Sequence, residues 1–211
     1  MVPKNMICST SYYIPENEDM PLSQEHKKRS RKRMLDSAVE LFTARGFHNV
    51  SIDDVMNNAK MTRGAFYAHF SSKSELYKES ILNAAVNSNL AKEKPESIGN
   101  RQWINRLLNE YLSNDHINQK SAPCPIAFLS FDATVEDPGV RDAYTTTFKN
   151  MNKRISNFTK SYSTCSENQI LAVTAMIVGG VAIARTLNDN TTKNKLLKSC
   201  REISKQILDG I

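Results

Sequence analysis

From residue 23 onward apolar residues recur three and four positions apart, and no stretch alternates convincingly with period two. No Asn-Gly or Asp-Gly turn separates two β-branched runs, so hairpins have no local signal. The chain reads as all-α. Hydrophobic residues make up 40% of its 211 positions, enough for a packed core. Four cysteines are too few for a disulfide scaffold.

The first helix is expected from Ser23 to Arg45. Its apolar stripe is Met34, Ala38, Leu41 and Phe42, and Gly46 stops it. A short helix starts at Ser51, with Asp53 and Asp54 in the positive field of its first turn. Its buried side is Ile52, Val55, Met56 and Ala59. Thr62 can cap a second short helix running to His69. Ser72 and Glu75 have capping-box spacing at the head of a longer helix, 72–90. After a break at 91–100, helices are expected near 101–113, 125–135, 138–161, 167–187 and 191–209, with Pro123, Pro125 and Pro138 at helix starts. Residues 1–22 read as a polar, proline-punctuated arm, disordered at least in part.

The uncharged run Ile170 to Ala184 is shorter than a membrane span and ends at Arg185, so it reads as a buried helix with no membrane partner. The N-terminus lacks a basic-then-apolar leader, which makes cytoplasmic the default. The net charge is +6, and its placement matters more than its total. Residues 26–33 read His-Lys-Lys-Arg-Ser-Arg-Lys-Arg. Cations are unfavourable in the first turns of a helix, so an external anion such as phosphate is a reasonable partner.

Two short helices joined by a tight turn at Ala59-Lys60-Met61 have helix-turn-helix spacing, in which the second helix enters the DNA major groove. Arg63 is the natural base reader, because arginine pairs bidentately with guanine. Tyr67, His69 and Lys73 are spaced to reach phosphates, the lesser alternative for Tyr67 and His69 being packing or a cap.

Residues 28–88 resemble the DNA-binding domain of the TetR family of transcriptional regulators. The matching stretches are Ala38-Val39-Glu40-Leu41-Phe42 with Gly46-Phe47, then Ser51-Ile52-Asp53-Asp54-Val55, then Thr62 to Phe70, then Lys73-Ser74-Glu75-Leu76. The resemblance implies a DNA-binding domain over 23–90 with its helix-turn-helix at 51–70. It also implies an effector-binding and dimerisation domain over 91–211. The expected function is a homodimeric regulator, most often a repressor, released from a palindromic double-stranded operator by a small-molecule or reactive effector. The implied DNA contacts are Lys28, Ser51, Thr62, Arg63, Gly64, Ala65, Tyr67, His69 and Lys73. Lys60 departs from the family's usual glycine, and either strains a left-handed turn or adopts a different one.

In the second half, Trp103, Tyr111, Phe128, Phe131, Tyr144 and Phe148 are candidates to line an effector pocket, although each alone is more often simply core. Cys124 joins them: a helix N-terminus lowers a thiol's pKa, and the bland alternative is a small buried hydrophobe. The expected dimer face is Ile170, Val173, Ile177 and Val181 with Leu196, Cys200 and Ile203, the alternative being an intrachain core. The four histidines do not cluster, and no metal or other cofactor is expected. No catalytic residues are assigned. A thiol enzyme using Cys124 and His116 would leave residues 26–73 without a purpose. A sequence-independent coating protein would show equal affinity for random and operator DNA.

Overall fold

The computed structural model describes residues 24–88, 91–118, 123–129 and 138–210. Among these lie ten helices and no strand: α1 (Gln24–Arg45), α2 (Ile52–Asn58), α3 (Arg63–Phe66), α4 (Lys73–Asn87), α5 (Asn100–Tyr111), α6 (Asn114–Ile117), α7 (Pro125–Phe128), α8 (Pro138–Thr159), α9 (Glu167–Thr186) and α10 (Asn190–Asp209). The expected arm at 1–22, Phe131 and the second half of the expected helix 125–135 lie outside the described residues.

Local signals account for most boundaries. Gly46 ends α1 at φ 78°, its N–H donating to the Phe42 carbonyl at 2.8 Å. Ser51 caps α2 in a reciprocal capping box with Asp54. At α4 the Ser72 hydroxyl accepts from Glu75 N–H at 3.0 Å, but the Glu75 carboxylate reaches back to Ser71 N–H at 2.6 Å rather than to Ser72. Thr62 sits at the N-cap of α3 with no side-chain cap bond. The α3 helix is also shorter than expected: regular turns end at Phe66, and Phe70 N–H closes the next turn onto the Phe66 carbonyl.

Lys60 is left-handed at φ 54°, which settles the question of the turn. The Arg33 guanidinium donates to the carbonyls of Ala59 and Lys60 and holds the turn from outside.

The core of the first domain forms where α1 packs on α4. Phe42 and Phe47 both pack on fully buried Tyr77, with centroids at 4.9 and 4.8 Å. The other side of α4 packs on α8, so this one helix joins both halves of the molecule.

Helices α9 and α10 form the most extensive pair in the second domain. Gly180 makes their approach possible, since a Cβ there would lie 2.9 Å from Cys200 Sγ. Gly179 faces open space. By length and composition α9 is the one helix among the described residues apolar enough to cross a membrane, with a mean hydropathy of 1.6. Counted only between charges the run is shorter, because Arg185 closes it.

The expected dimer face is partly reversed. Ile170, Val173, Ile177, Val181 and Cys200 are buried within their own chain. Leu196 is half-buried, and Ile203 is 45% exposed. The outward side of α9 is instead Leu171, Ala175 and Ile183 with half-buried Val178 and Ala182. A helix apolar on every side carries two candidate faces, and hydrophobicity alone does not rank them.

The strain at Lys60 yields a prediction. A left-handed L-residue costs roughly 1–2 kcal/mol, and glycine returns about 0.5–1 kcal/mol of that as unfolded-state entropy. Lys60→Gly is expected to stabilise the protein by about 0.5–1 kcal/mol, read as a higher urea midpoint with an unchanged slope.

Candidate nucleic-acid interface and the cavity behind it

The turn between α2 and α3 presents Thr62, Arg63, Gly64 and Tyr67 to solvent, with Ala65 half-buried. Phe66 and Phe70 anchor the same segment, both essentially inaccessible, with ring centroids 5.8 Å apart. One side of α3 is thus fixed to the core while the other is small, polar and open. No carbon-bearing side chain crowds Gly64, which has open space around it.

Arg63 is not free. Its Nη1 lies 2.6 Å from Asp53 Oδ2, an exposed ion pair bridging α3 to α2. Tyr67, one helical turn on, and Asp53 both favour its charged form. Reading a guanine requires this pair to open or share. The Ser51 hydroxyl is occupied by Asp54 on both its donor and acceptor sides. Lys73 Nζ sits 4.1 Å over the Phe47 ring. His69 is partly buried, and burial followed by the nearby Lys27 and Arg31 charges pushes its pKa down, so it is neutral at pH 7. Lys28 is exposed on the first turns of α1.

The basic run is less available than its sequence suggests. Arg29 pairs with Glu25 at 3.4 Å, Arg31 pairs with Glu79 at 3.2 Å, and Lys32 pairs with Asp36. Arg33 is committed to the α2–α3 turn. Lys27 and Lys28 make no ion pair among the described residues. The partners of Arg29 and Lys32 were visible at i−4 and i+4, whereas Glu79 depends on the packing of α4 against α1.

Behind this surface, a cavity of about 290 Å³ lies between the end of α4, the start of α7 and one side of α8. Its lining includes Ala85, Val86, Ser88, Cys124, Ile126, Met151, Lys153 and Arg154. Of the described pocket candidates, Cys124 alone lines it. Trp103, Tyr111 and Phe128 are buried core residues. Tyr144 donates to the Ile126 carbonyl at 2.8 Å, with burial pushing its pKa up to about 12, and Phe148 packs on the core. Aromatic side chains carry the largest apolar area and are drawn into the packed interior, so the cavity is left to smaller neighbours.

The expected activation of Cys124 is also reversed. Burial raises its thiol pKa and outweighs the hydrogen bonds that lower it, and α7 is one turn long. His116 Nε2 accepts the Cys124 backbone N–H at 3.2 Å, while Nδ1 lies 2.6 Å from the Tyr111 carbonyl. The imidazole therefore holds backbone and does not face the thiol as a base.

A second contact joins the halves. Arg185 on α9 donates to the Thr43 carbonyl of α1 at 2.9 Å and stacks 3.9 Å over the ring of Phe128 on α7. It ties α9, and through the Phe128 ring α7, to the first domain. No signal in a single sequence marks this pairing across 142 positions.

A family model described as bacterial regulatory proteins, tetR family, matches residues 34–80, the stretch that builds α1 through α4. The first domain is therefore similar to the DNA-binding domain of the TetR family. It is 38% identical over 63 residues to the Transposon Tn10 TetC protein of Escherichia coli, covering 28% of this chain and 32% of that one. It is 26% identical over 53 residues to the biofilm operon icaADBC negative transcriptional regulator IcaR of Staphylococcus epidermidis, covering 25% and 29%. The chain thus spans about a third or less of these relatives' length. The crystal structure of reduced E. coli NemR superposes with a TM-score of 0.69 at 19% identity, covering 85% of this chain and 96% of that one. The likeness of fold therefore extends well beyond the matched sequence.

Two predictions follow from the geometry. Arg63→Ala is expected to cost about 1–3 kcal/mol on specific DNA and to relax one position of the site. Asp53→Asn, which frees Arg63 and removes an opposing charge, is expected to tighten binding to operator and random DNA. Fluorescence anisotropy at fixed salt checks both. His116 supplies a pH dependence, because burial holds its pKa below the ordinary value near 6.5. Its stabilising neutral form is complete above that value and is lost as pH falls through the folded pKa. The melting temperature is expected to fall as the pH drops below about 6.5, less steeply in His116→Gln.

Proposed function

We propose that this protein is a transcriptional repressor. In this reading it binds a palindromic operator as a homodimer and is released by a small molecule entering the cavity between α4, α7 and α8. The observation carrying this reading is the exposed Thr62–Tyr67 segment, held rigidly by buried Phe66 and Phe70 beside the basic start of α1. Exposed Arg63 would read bases, and Lys28, Tyr67, His69 and Lys73 would meet phosphates.

Two recognition helices must sit about 34–36 Å apart to enter successive major grooves. The outward apolar stripe of α9 and α10 supports pairing of two copies. Leu171, Ile183 and Ile203 are 38%, 52% and 45% exposed, and Gly179 leaves room for close approach. Ala85, Val86 and Ser88 put the end of α4 in the cavity wall, while the start of α4 is capped next to the recognition segment. An effector preferring one tilt of α4 would shift the dimer between operator-binding and released states by its differential affinity.

Selection from a randomised double-stranded DNA pool at about 150 mM salt tests the reading. The expected result is a palindrome of about 15–25 base pairs, and equal affinity for random DNA would replace operator reading with non-specific binding. The double variant Ile183→Glu with Ile203→Glu is expected to halve the mass seen by sedimentation and to abolish tight operator binding. A mass unchanged by both charges would move the dimer interface elsewhere.

A further inference from the structure

The walls of the α4–α7–α8 cavity are chemically unequal. One side is apolar, from Ala85 and Val86 on α4 and Ile126 at the head of α7, with Met151 beneath. The other is a stripe along α8. Asn150, Lys153, Arg154 and Asn157 stand at i, i+3, i+4 and i+7, so they share one face of the helix. This stripe holds two cations and two amides, and no carboxylate lines the cavity among the described residues.

Among the described residues neither cation meets a carboxylate. Lys153 is exposed and makes no ion pair among the described residues. Arg154 donates to the Lys92 carbonyl and lies over the Phe158 ring at 5.5 Å, neither of which carries an opposing charge. Its Nε is buried with no hydrogen-bond partner among the described residues. This contrasts with the start of α1, where Arg29, Arg31 and Lys32 each have a carboxylate. At about 290 Å³, the cavity is near the lower end of the roughly 300–1,000 Å³ of small-molecule sites.

We propose that this cavity binds a small amphipathic anion, a carboxylate on an apolar chain or ring. The acid head lies against Lys153 and Arg154, and the tail lies against Ile126, Met151 and the end of α4. Charge-assisted hydrogen bonds to the head select anions over neutral or cationic molecules with the same tail. The assignment rests on reading this cavity as the effector site, but binding and release are measured separately.

The test uses three straight-chain probes of eight carbons each: octanoate, octan-1-ol and octylamine. Each is titrated into the full chain by calorimetry at fixed ionic strength. Octanoate is expected to bind about tenfold more tightly than octanol, and octylamine more weakly than either. Lys153→Glu, at an exposed position that leaves the fold intact, is expected to abolish the octanoate preference and improve octylamine binding. Equal binding of octanoate and octanol, tightest binding by octylamine, or octanoate affinity unchanged in Lys153→Glu would each overturn the proposal. A parallel anisotropy arm follows operator DNA. Octanoate that binds with the expected selectivity yet leaves DNA affinity unchanged would refute the effector reading and keep the anion site. Failure to bind, with operator recognition intact, would do the reverse.

Discussion

The packing of α1 on α4 around Tyr77 is the contact on which the molecule depends. Tyr77 is fully enclosed between Phe42 and Phe47, and its burial places α4 against the recognition unit. Without that packing, α3 is a single turn, far too short to persist alone. The recognition segment is ordered because Phe66 and Phe70 insert into the same core, and its polar residues are presented as a consequence. Removing a ring of this size from a core typically costs 3–5 kcal/mol, a large share of the 5–15 kcal/mol by which domains are stable.

Because α4 also packs on α8, the recognition unit and the cavity share one structural member. Under the proposed reading, a ligand at Ala85 or Val86 would act on the same helix whose first turn supports the Thr62–Tyr67 segment. Packed helices have few intermediate arrangements, so a small displacement is transmitted along the helix rather than absorbed. The Arg33 clamp on Ala59 and Lys60 gives a second support, holding the α2–α3 turn in the left-handed form that glycine would take unaided.

Much of this was legible in the sequence where the determining physics is local. Helix periodicity, the Gly46 stop and the start at Ser51 placed α1 and the head of α2 to within a residue, although α3 and α4 end three residues before the expected 69 and 90, and the all-α architecture followed. The long helices 138–161 and 167–187 emerged as Pro138–Thr159 and Glu167–Thr186. What failed was non-local. Which side of α9 turns inward depends on where α8 and α10 lie. Whether Arg31 is free depends on Glu79, across a helix interface. The aromatics near the cavity were drawn into the core, leaving a lining of small residues and an α8 polar stripe. The Asn150, Lys153, Arg154, Asn157 spacing was available in the sequence, but nothing local distinguishes a cavity wall from a solvated helix face.

The bond from Arg185 to the Thr43 carbonyl sets a limit on the dynamic range of any switch that uses it. A hydrogen bond to a charged group contributes about 1.5–3 kcal/mol, which matches the 1–3 kcal/mol, or 5- to 150-fold, of ordinary coupling between sites. A ligand that works by breaking this one contact can spread the on and off states by no more than that. If the proposed repressor reading holds, a promoter switched through this contact alone would keep a measurable basal output, graded by ligand rather than fully silenced or fully open.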